Sequence, residues 1–222
     1  MDLKKTISDA KPIALPFLVG LSVYSLFGMG MYISFGKAET HIALNAYHNI
    51  VLDQFFKNLT HFGHGLIPIL AFLILLFVRY SWALGLGVSS LLMGFIVQGL
   101  KRGVFSGDPR PGKFFNEGIL PHIEGVKLMM SHSFPSGHSA TGLCIAFMLA
   151  VFVKKKWFTN LMVVVGLLTA FSRVYISQHF IQDTVVGAWI GFGLAFLGYV
   201  FIIHHAESNP SSKLNRRLWP ST

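Results

Sequence analysis

Ser172-Arg173-Val174-Tyr175-Ile176-Ser177-Gln178-His179-Phe180-Ile181-Gln182-Asp183 decides how this chain is read. The segment joins two apolar runs, near residues 158–175 and 182–203, each about long enough to cross a bilayer as a helix. An arginine therefore closes one helix at the membrane boundary, and His179 and Asp183 stand around the start of the next. Four residues apart, the imidazole and the carboxylate can share one helix face. There the carboxylate, or a nearby backbone carbonyl, fixes the histidine tautomer and stabilises its cation. Taken alone, the same set also fits a surface histidine beside a helix-capping aspartate.

Working outward, four more apolar runs lie near residues 13–35, 62–79, 82–100 and 138–153. Of the 222 residues 53% are hydrophobic, only 12% are charged, and 21 are phenylalanine, a balance far more apolar than that of a water-soluble domain. The fold expected is all-α: a six-transmembrane-helix bundle with an interfacial helix and a catalytic loop on the outer face. Residues 1–205 form one integral-membrane domain and 206–222 a short, mobile cytoplasmic tail. Residues 36–61 mix Ile42, Leu44, Ile50, Val51, Leu52, Phe55 and Phe56 with polar residues, the pattern of an interfacial helix. Residues 101–137 are rich in Gly, Pro and charge, a loop long enough to be functional. Gly187 and Gly191 put a small-residue face on the last span, suited to close helix contact in lipid.

Composition excludes several classes. The single cysteine, Cys144, builds neither a disulfide framework nor a cysteine metal site. The net charge of +9 is scattered between apolar runs instead of forming one basic face, so nucleic acid is not an expected partner. The first apolar run is too long for a cleaved signal core and is expected to remain as an anchor. With both termini cytoplasmic, the inner side carries 10 Lys and Arg residues against 8 outside, and setting aside the candidate phosphate ligands Lys101, Arg110 and Arg173 leaves 5 outside. The site is then expected on the outer side.

Two further pieces complete a constellation. Pro135-Ser136-Gly137-His138 precedes the fourth apolar run, where glycine permits close backbone approach, serine offers donors, and the helix start faces an anion. Lys101 ends the third run, and Arg110-Pro111 lies in the loop beyond it. Arginine presents a fork to phosphate oxygens and lysine a point charge. Separately, these residues also read as a helix cap and as cations at a headgroup boundary. Together, three cations, two histidines and a carboxylate are what metal-free phosphoryl transfer requires. The cations hold the phosphate, one imidazole attacks phosphorus and the other protonates the leaving oxygen.

The ordered set resembles the type 2 phosphatidic-acid phosphatase superfamily, whose pattern is a lysine followed by Arg-Pro, then Pro-Ser-Gly-His, then Ser-Arg, a histidine and an aspartate. The second and third parts are complete here in Pro135–His138 and in Ser172, Arg173, His179 and Asp183. The first part departs from the pattern: eight residues separate Lys101 from Arg110, where the family usually has six. The standard position is Gly103, and Arg102 competes with Lys101 for the role. A two-residue insertion at Ser106–Pro109 would keep Lys101 in place at the helix end.

The resemblance implies that His179 is the nucleophile forming a phosphohistidine, Asp183 its partner, and His138 the acid that later activates water. It implies a phosphate cradle of Lys101, Arg110, Ser136, Gly137 and Arg173, with no cofactor and no metal. The acidic residues Asp108, Glu117 and Glu124 are too scattered for a metal cage. His61, His64, His122 and His132 read as interfacial or headgroup-contact residues in preference to zinc ligands.

The expected function is a membrane lipid-phosphate phosphatase acting on a phosphomonoester or diphosphate. Undecaprenyl diphosphate leads the candidates, followed by phosphatidylglycerol phosphate, phosphatidic acid and lipid A. A lipid phosphotransferase would use the same site. A non-enzymatic scaffold or transporter is disfavoured by the intact histidines, and a vanadate-dependent peroxidase by the six apolar runs. The partners expected are a lipid phosphate and the bilayer. As a boundary residue, His179 is expected to be exposed and to contribute little packing.

Overall fold

A single glycine breaks the first helix. In the computed structural model, which describes residues 3–218, α1 spans Leu3–Leu44 and turns at Gly36, whose φ of 79° and ψ of 176° suit glycine alone. The kink falls where the interfacial helix was expected to start, and that helix is itself two pieces. Lys37–Leu44 follows the kink, and α2 (Ile50–Leu59) restarts after Asn49, whose side chain accepts from the backbone N–H of Val51 and Leu52 at 3.1 and 3.0 Å. Ile50 and Val51 remain 85% and 73% exposed while Phe56 is buried, so α2 turns one side inward.

The remaining helices are α3 (Leu66–Leu76), α4 (Tyr80–Gly99), the short α5 (Pro111–Phe114), α6 (Gly137–Val153), α7 (Lys156–Tyr175), α8 (Ile181–Gly198) and α9 (His205–Glu207). Wider π-helical turns extend α4 over Leu100–Val104 and α8 over Tyr199–His204. No strand forms among the described residues. Each of the six apolar runs contains one long helix: α1, α3, α4, α6, α7 and α8.

Four spans qualify individually as membrane crossings, those built on α1, α4, α7 and α8. A fifth qualifies if α2 and α3, bent by 52°, count together. The chain is thus an all-helical, multi-pass integral membrane protein. At 17 residues α6 is short, but lipid has little access to it: nearly every side chain from Ser139 to Val151 is buried. It is the axis of the bundle. Around it Phe17, Phe147 and Phe192 form a mutual ring cluster with centroids 5.3–6.0 Å apart. The outward faces carry exposed Leu26, Ile33 and Phe95, apolar surface that a bilayer satisfies and water does not.

The small-residue face on α8 meets α6. A Cβ at Gly187 would collide with the carbonyl of Ser136, and one at Gly191 with the carbonyl of Ala140. Glycine at these positions lets the two backbones touch, which brings the start of α6 against the start of α8. The tail is not free, as far as it is described. Tyr80 N–H donates to the carbonyl of Arg216 at 2.8 Å, Leu218 N–H to that of Leu76 at 2.9 Å, and Arg79 to Asn215 at 2.6 Å. These polar groups stitch it to the α3–α4 turn.

Candidate active site

The ends of α4, α7 and the starts of α6 and α8 converge, and the backbone itself ties them. Ser136 N–H donates to the carbonyl of Asp183 at 2.9 Å, joining the second motif to the third. Ser136 also caps α6, its hydroxyl oxygen accepting from Ser139 N–H at 3.3 Å and Ser139 Oγ at 2.8 Å. Gly137 and His138 form the first turn of α6 behind it.

Lys101 turns inward from the π-helical turn and is 7% exposed, while its neighbour Arg102 is exposed. Its Nζ donates to the carbonyl of His132 at 2.9 Å. Of the two competitors, only Lys101 points into the convergence. A π turn carries an extra residue relative to an α turn, and such turns recur at functional sites.

Arg110 donates from Nε to the carbonyl of Ser131 at 2.9 Å, and from Nη1 to the carbonyl and Oε1 of Gln178 at 3.2 and 3.3 Å. That places the loop arginine directly beside His179. Arg173, 7% exposed, donates from Nη1 to Thr60 Oγ1 at 2.7 Å, and its buried Nε has no partner. Among the described residues none of these three cations forms an ion pair with a carboxylate. Nor does any group of three or more His, Cys, Asp or Glu side chains there suit a metal ion.

His179 corrects an expectation. It is 1% exposed, held in the turn between α7 and α8, where the N–H groups of Gln178 and His179 both donate to the carbonyl of Arg173 at 2.9 and 3.0 Å. A boundary in sequence is not a surface in space, because α1, α2 and the 101–137 loop fold over this turn. Asn45 on α1's trailing end donates to the carbonyl of Val174 at 3.1 Å, and Gln178 to that of Lys127 at 2.9 Å.

His179 Nδ1 lies 3.4 Å from Asp183 Oδ2. That carboxylate oxygen also accepts from Ser133 Oγ at 2.5 Å and Phe180 N–H at 3.0 Å, which fixes it in place. With Nδ1 turned to the carboxylate, Nε2 is the nitrogen left with a lone pair. Burial, followed by the positive charges of Arg110, Lys101 and Arg173, holds the His179 pKa well below its usual 6.5. The ring is therefore neutral near pH 7, the state a nucleophile needs.

Thr60, Ser133 and Gln178 are parts of the site that motif reading missed. A lone hydroxyl or amide carries no spacing signal, and each acts through a partner distant in sequence. His64 is exposed, with its ring centroid 5.9 Å from that of His138. His61 and His122 are exposed, and His132 is exposed too, meeting the convergence through its carbonyl.

A cavity of about 540 Å³ opens between α3 and α4 and runs to the start of α6. Phe72, Met93, Gly94 and Val97 line its apolar length, with Gly137 and His138 at one wall. A long apolar chamber ending beside a cationic cluster fits a molecule with a lipid tail and an anionic head.

The PAP2 superfamily model matches residues 82–205, more than half of the chain and all three motif segments. The chain belongs to the PAP2 superfamily. Phosphatidylglycerophosphatase B of Bacillus subtilis (strain 168) is 28% identical over 162 residues, which cover 66% of this chain and 73% of that protein. Among solved structures, Aquifex aeolicus LpxE aligns with a TM-score of 0.62 at 26% identity, covering 74% of this chain and 95% of that one. The transmembrane PAP2-type phosphatidylglycerolphosphate phosphatase from Bacillus subtilis aligns with a TM-score of 0.50 at 23% identity, covering 92% and 98%, and shows the shared fold. This PAP2 chain is a lipid phosphatase of the membrane branch, an enzyme hydrolysing phosphoric esters.

Proposed function

We propose that His179 attacks the phosphorus of a lipid phosphate at the outer membrane surface and that the phosphoryl group passes through a phosphohistidine to water. The observation that carries this reading is the set of three cations, two of them buried, held only by neutral acceptors around a buried neutral imidazole. Buried charge without a counter-charge is costly unless a ligand supplies it, and a phosphate dianion does. The unpartnered Nε of Arg173 offers one more donor to it.

The negative charge of the arriving phosphate favours protonation of His138. In the first step the His179 Nε2–P bond forms as the bond from phosphorus to the lipid oxygen breaks, and the His138 imidazolium gives that oxygen its proton. Lys101, Arg110, Arg173 and the Ser136–Gly137 backbone hold the equatorial oxygens. Asp183 accepts from Nδ1–H and stabilises the imidazolium-like phosphohistidine. In the second step His138 takes a proton from water, which attacks phosphorus and releases His179 and inorganic phosphate. Charge neutralisation by guanidinium and ammonium assigns no step to a metal.

Phosphatidylglycerol phosphate is the favoured substrate, because the B. subtilis relative at 28% identity carries its name. Undecaprenyl diphosphate, which led on sequence alone, ranks second. The α3–α4 cavity supports a lipid in either case. The orientation proposed is both termini cytoplasmic, with all six long helices crossing; α6 is shielded by its neighbours and α3 extended by α2.

A panel of lipid phosphates offered to the purified protein in detergent, with free phosphate measured, tests the assignment. Phosphatidylglycerol phosphate should be turned over fastest. Gly94 lines the cavity with open space where a side chain would project. Gly94→Leu should therefore raise KM for lipid substrates about tenfold while sparing water-soluble p-nitrophenyl phosphate. An equal effect on both substrates would remove the cavity from the lipid site.

A further inference from the structure

We propose that a second cavity, between α1 and the α6–α7 turn, binds the headgroup of an anionic phospholipid at the end of the bundle opposite the catalytic histidines. The cavity measures about 580 Å³. Lys11 of α1 and Lys154 and Lys156 of the turn line it with Ser8, and Leu15 and Pro16 supply an apolar wall. His138 begins α6 and Lys154 follows its last residue, so about 24 Å of helix separates this cavity from the catalytic site. It is too far away to be part of that site.

The charges here do not cancel. Lys154 Nζ lies 2.7 Å from Glu207, but Glu207 is shared with Arg79 at 3.2 Å. Asp9, the other nearby carboxylate, faces His204 at 3.0 Å. Among the described residues Lys11 and Lys156 form no ion pair, and Lys155 adds a further positive charge to the turn. Cations from two separate elements thus converge on one pocket with an apolar flank, the chemistry that receives a phosphate head and its acyl chains at a membrane boundary.

The backbone supplies an independent sign. Lys154 ends α6 in the left-handed conformation, with φ 53° and ψ 28°, and its N–H donates to the carbonyl of Ala150. Glycine closes helices in that conformation without strain, whereas a lysine is strained there. Residues kept in such conformations concentrate at ligand sites. Here the strained residue is one that lines the cavity.

Thermal unfolding of the full chain in dodecylmaltoside micelles tests the site, and the lysine variants separate it from the catalytic pocket, where phosphatidylglycerol and phosphate would bind as products. The micelles are doped with dioleoylphosphatidylglycerol or dioleoylphosphatidylcholine, or given inorganic phosphate alone. Phosphatidylglycerol should raise the melting temperature by several degrees over phosphatidylcholine, because a ligand bound to the folded state stabilises it. The double substitution Lys11→Gln, Lys156→Gln should lose at least half of that rise while hydrolysing p-nitrophenyl phosphate at the original rate. Lys154→Gly, which relieves the strained backbone, should melt at least as high as the original in phosphatidylcholine yet respond less to phosphatidylglycerol. Retention of the full rise in both variants overturns the proposal. A rise with inorganic phosphate alone that the double substitution also abolishes overturns the lipid assignment, whereas a rise it leaves intact belongs to the catalytic cations.

Discussion

Arg79 and Lys154 share Glu207 at one end of the bundle, and His204 faces Asp9 beside them. At the other end Lys101, Arg110 and Arg173 donate to carbonyls, an amide and a hydroxyl, with no carboxylate paired to any of them. The first arrangement joins the tail to the α3–α4 and α6–α7 turns. The second keeps its full positive charge for something that arrives from outside. Proximity of opposite charges marks a structural contact, whereas desolvated charge held by neutral dipoles marks a binding site.

The contrast is most sharply tested at His179. His179→Ala should lower kcat by about 10⁴-fold or more and abolish acid-labile phosphate labelling of the protein, measured with radiolabelled substrate. Because the ring is buried, the variant should also melt a few degrees lower, unlike a surface substitution. Full labelling in the variant would move the nucleophile elsewhere.

Arg173→Ala should cost about 10²–10³-fold in kcat/KM, and Arg173→Lys should recover little, since a single nitrogen at the end of a flexible stem does not reproduce the planar fork that reaches Thr60 through Nη1 and leaves Nε–H aimed elsewhere. Recovery to near the original rate by lysine would reduce the residue to a point charge. Lys101→Ala should cost about 10–100-fold, whereas exposed Arg102→Ala should change kcat/KM by less than about twofold. The reverse ranking would reassign the first ligand.

The smallest effect belongs to the paired end. Glu207→Gln should leave kcat/KM unchanged and lower the melting temperature by about 2–4 °C, roughly the loss of two partly exposed ion pairs. A catalytic defect there would erase the distinction between the two ends.

Most of the site was legible because membrane helices reduce the problem. Apolar runs announce where each helix starts and stops, so motif residues at the boundaries could be assigned to helix ends before any contact was known. Lys101 against Arg102 could not be settled that way: adjacent residues differ by one step of rotation, and the wider turn over Leu100–Val104 changes which one faces inward. The interfacial segment was read as one helix because apolar residues resume directly after Asn45–Asn49, while the kink at Gly36 falls where the first apolar run was read to end.

Covalent order and hydropathy alone established the helical class, the membrane setting and the three motif segments, because bilayer thickness and helical rise convert residue counts into positions. Tertiary packing decided that His179 is buried, that Thr60 holds Arg173 and Ser133 holds Asp183, and that the tail folds back onto Arg79. Those outcomes depend on which groups remote in sequence share one volume. No local spacing encodes that; it emerges only when α6 and α8 close together at Gly187 and Gly191.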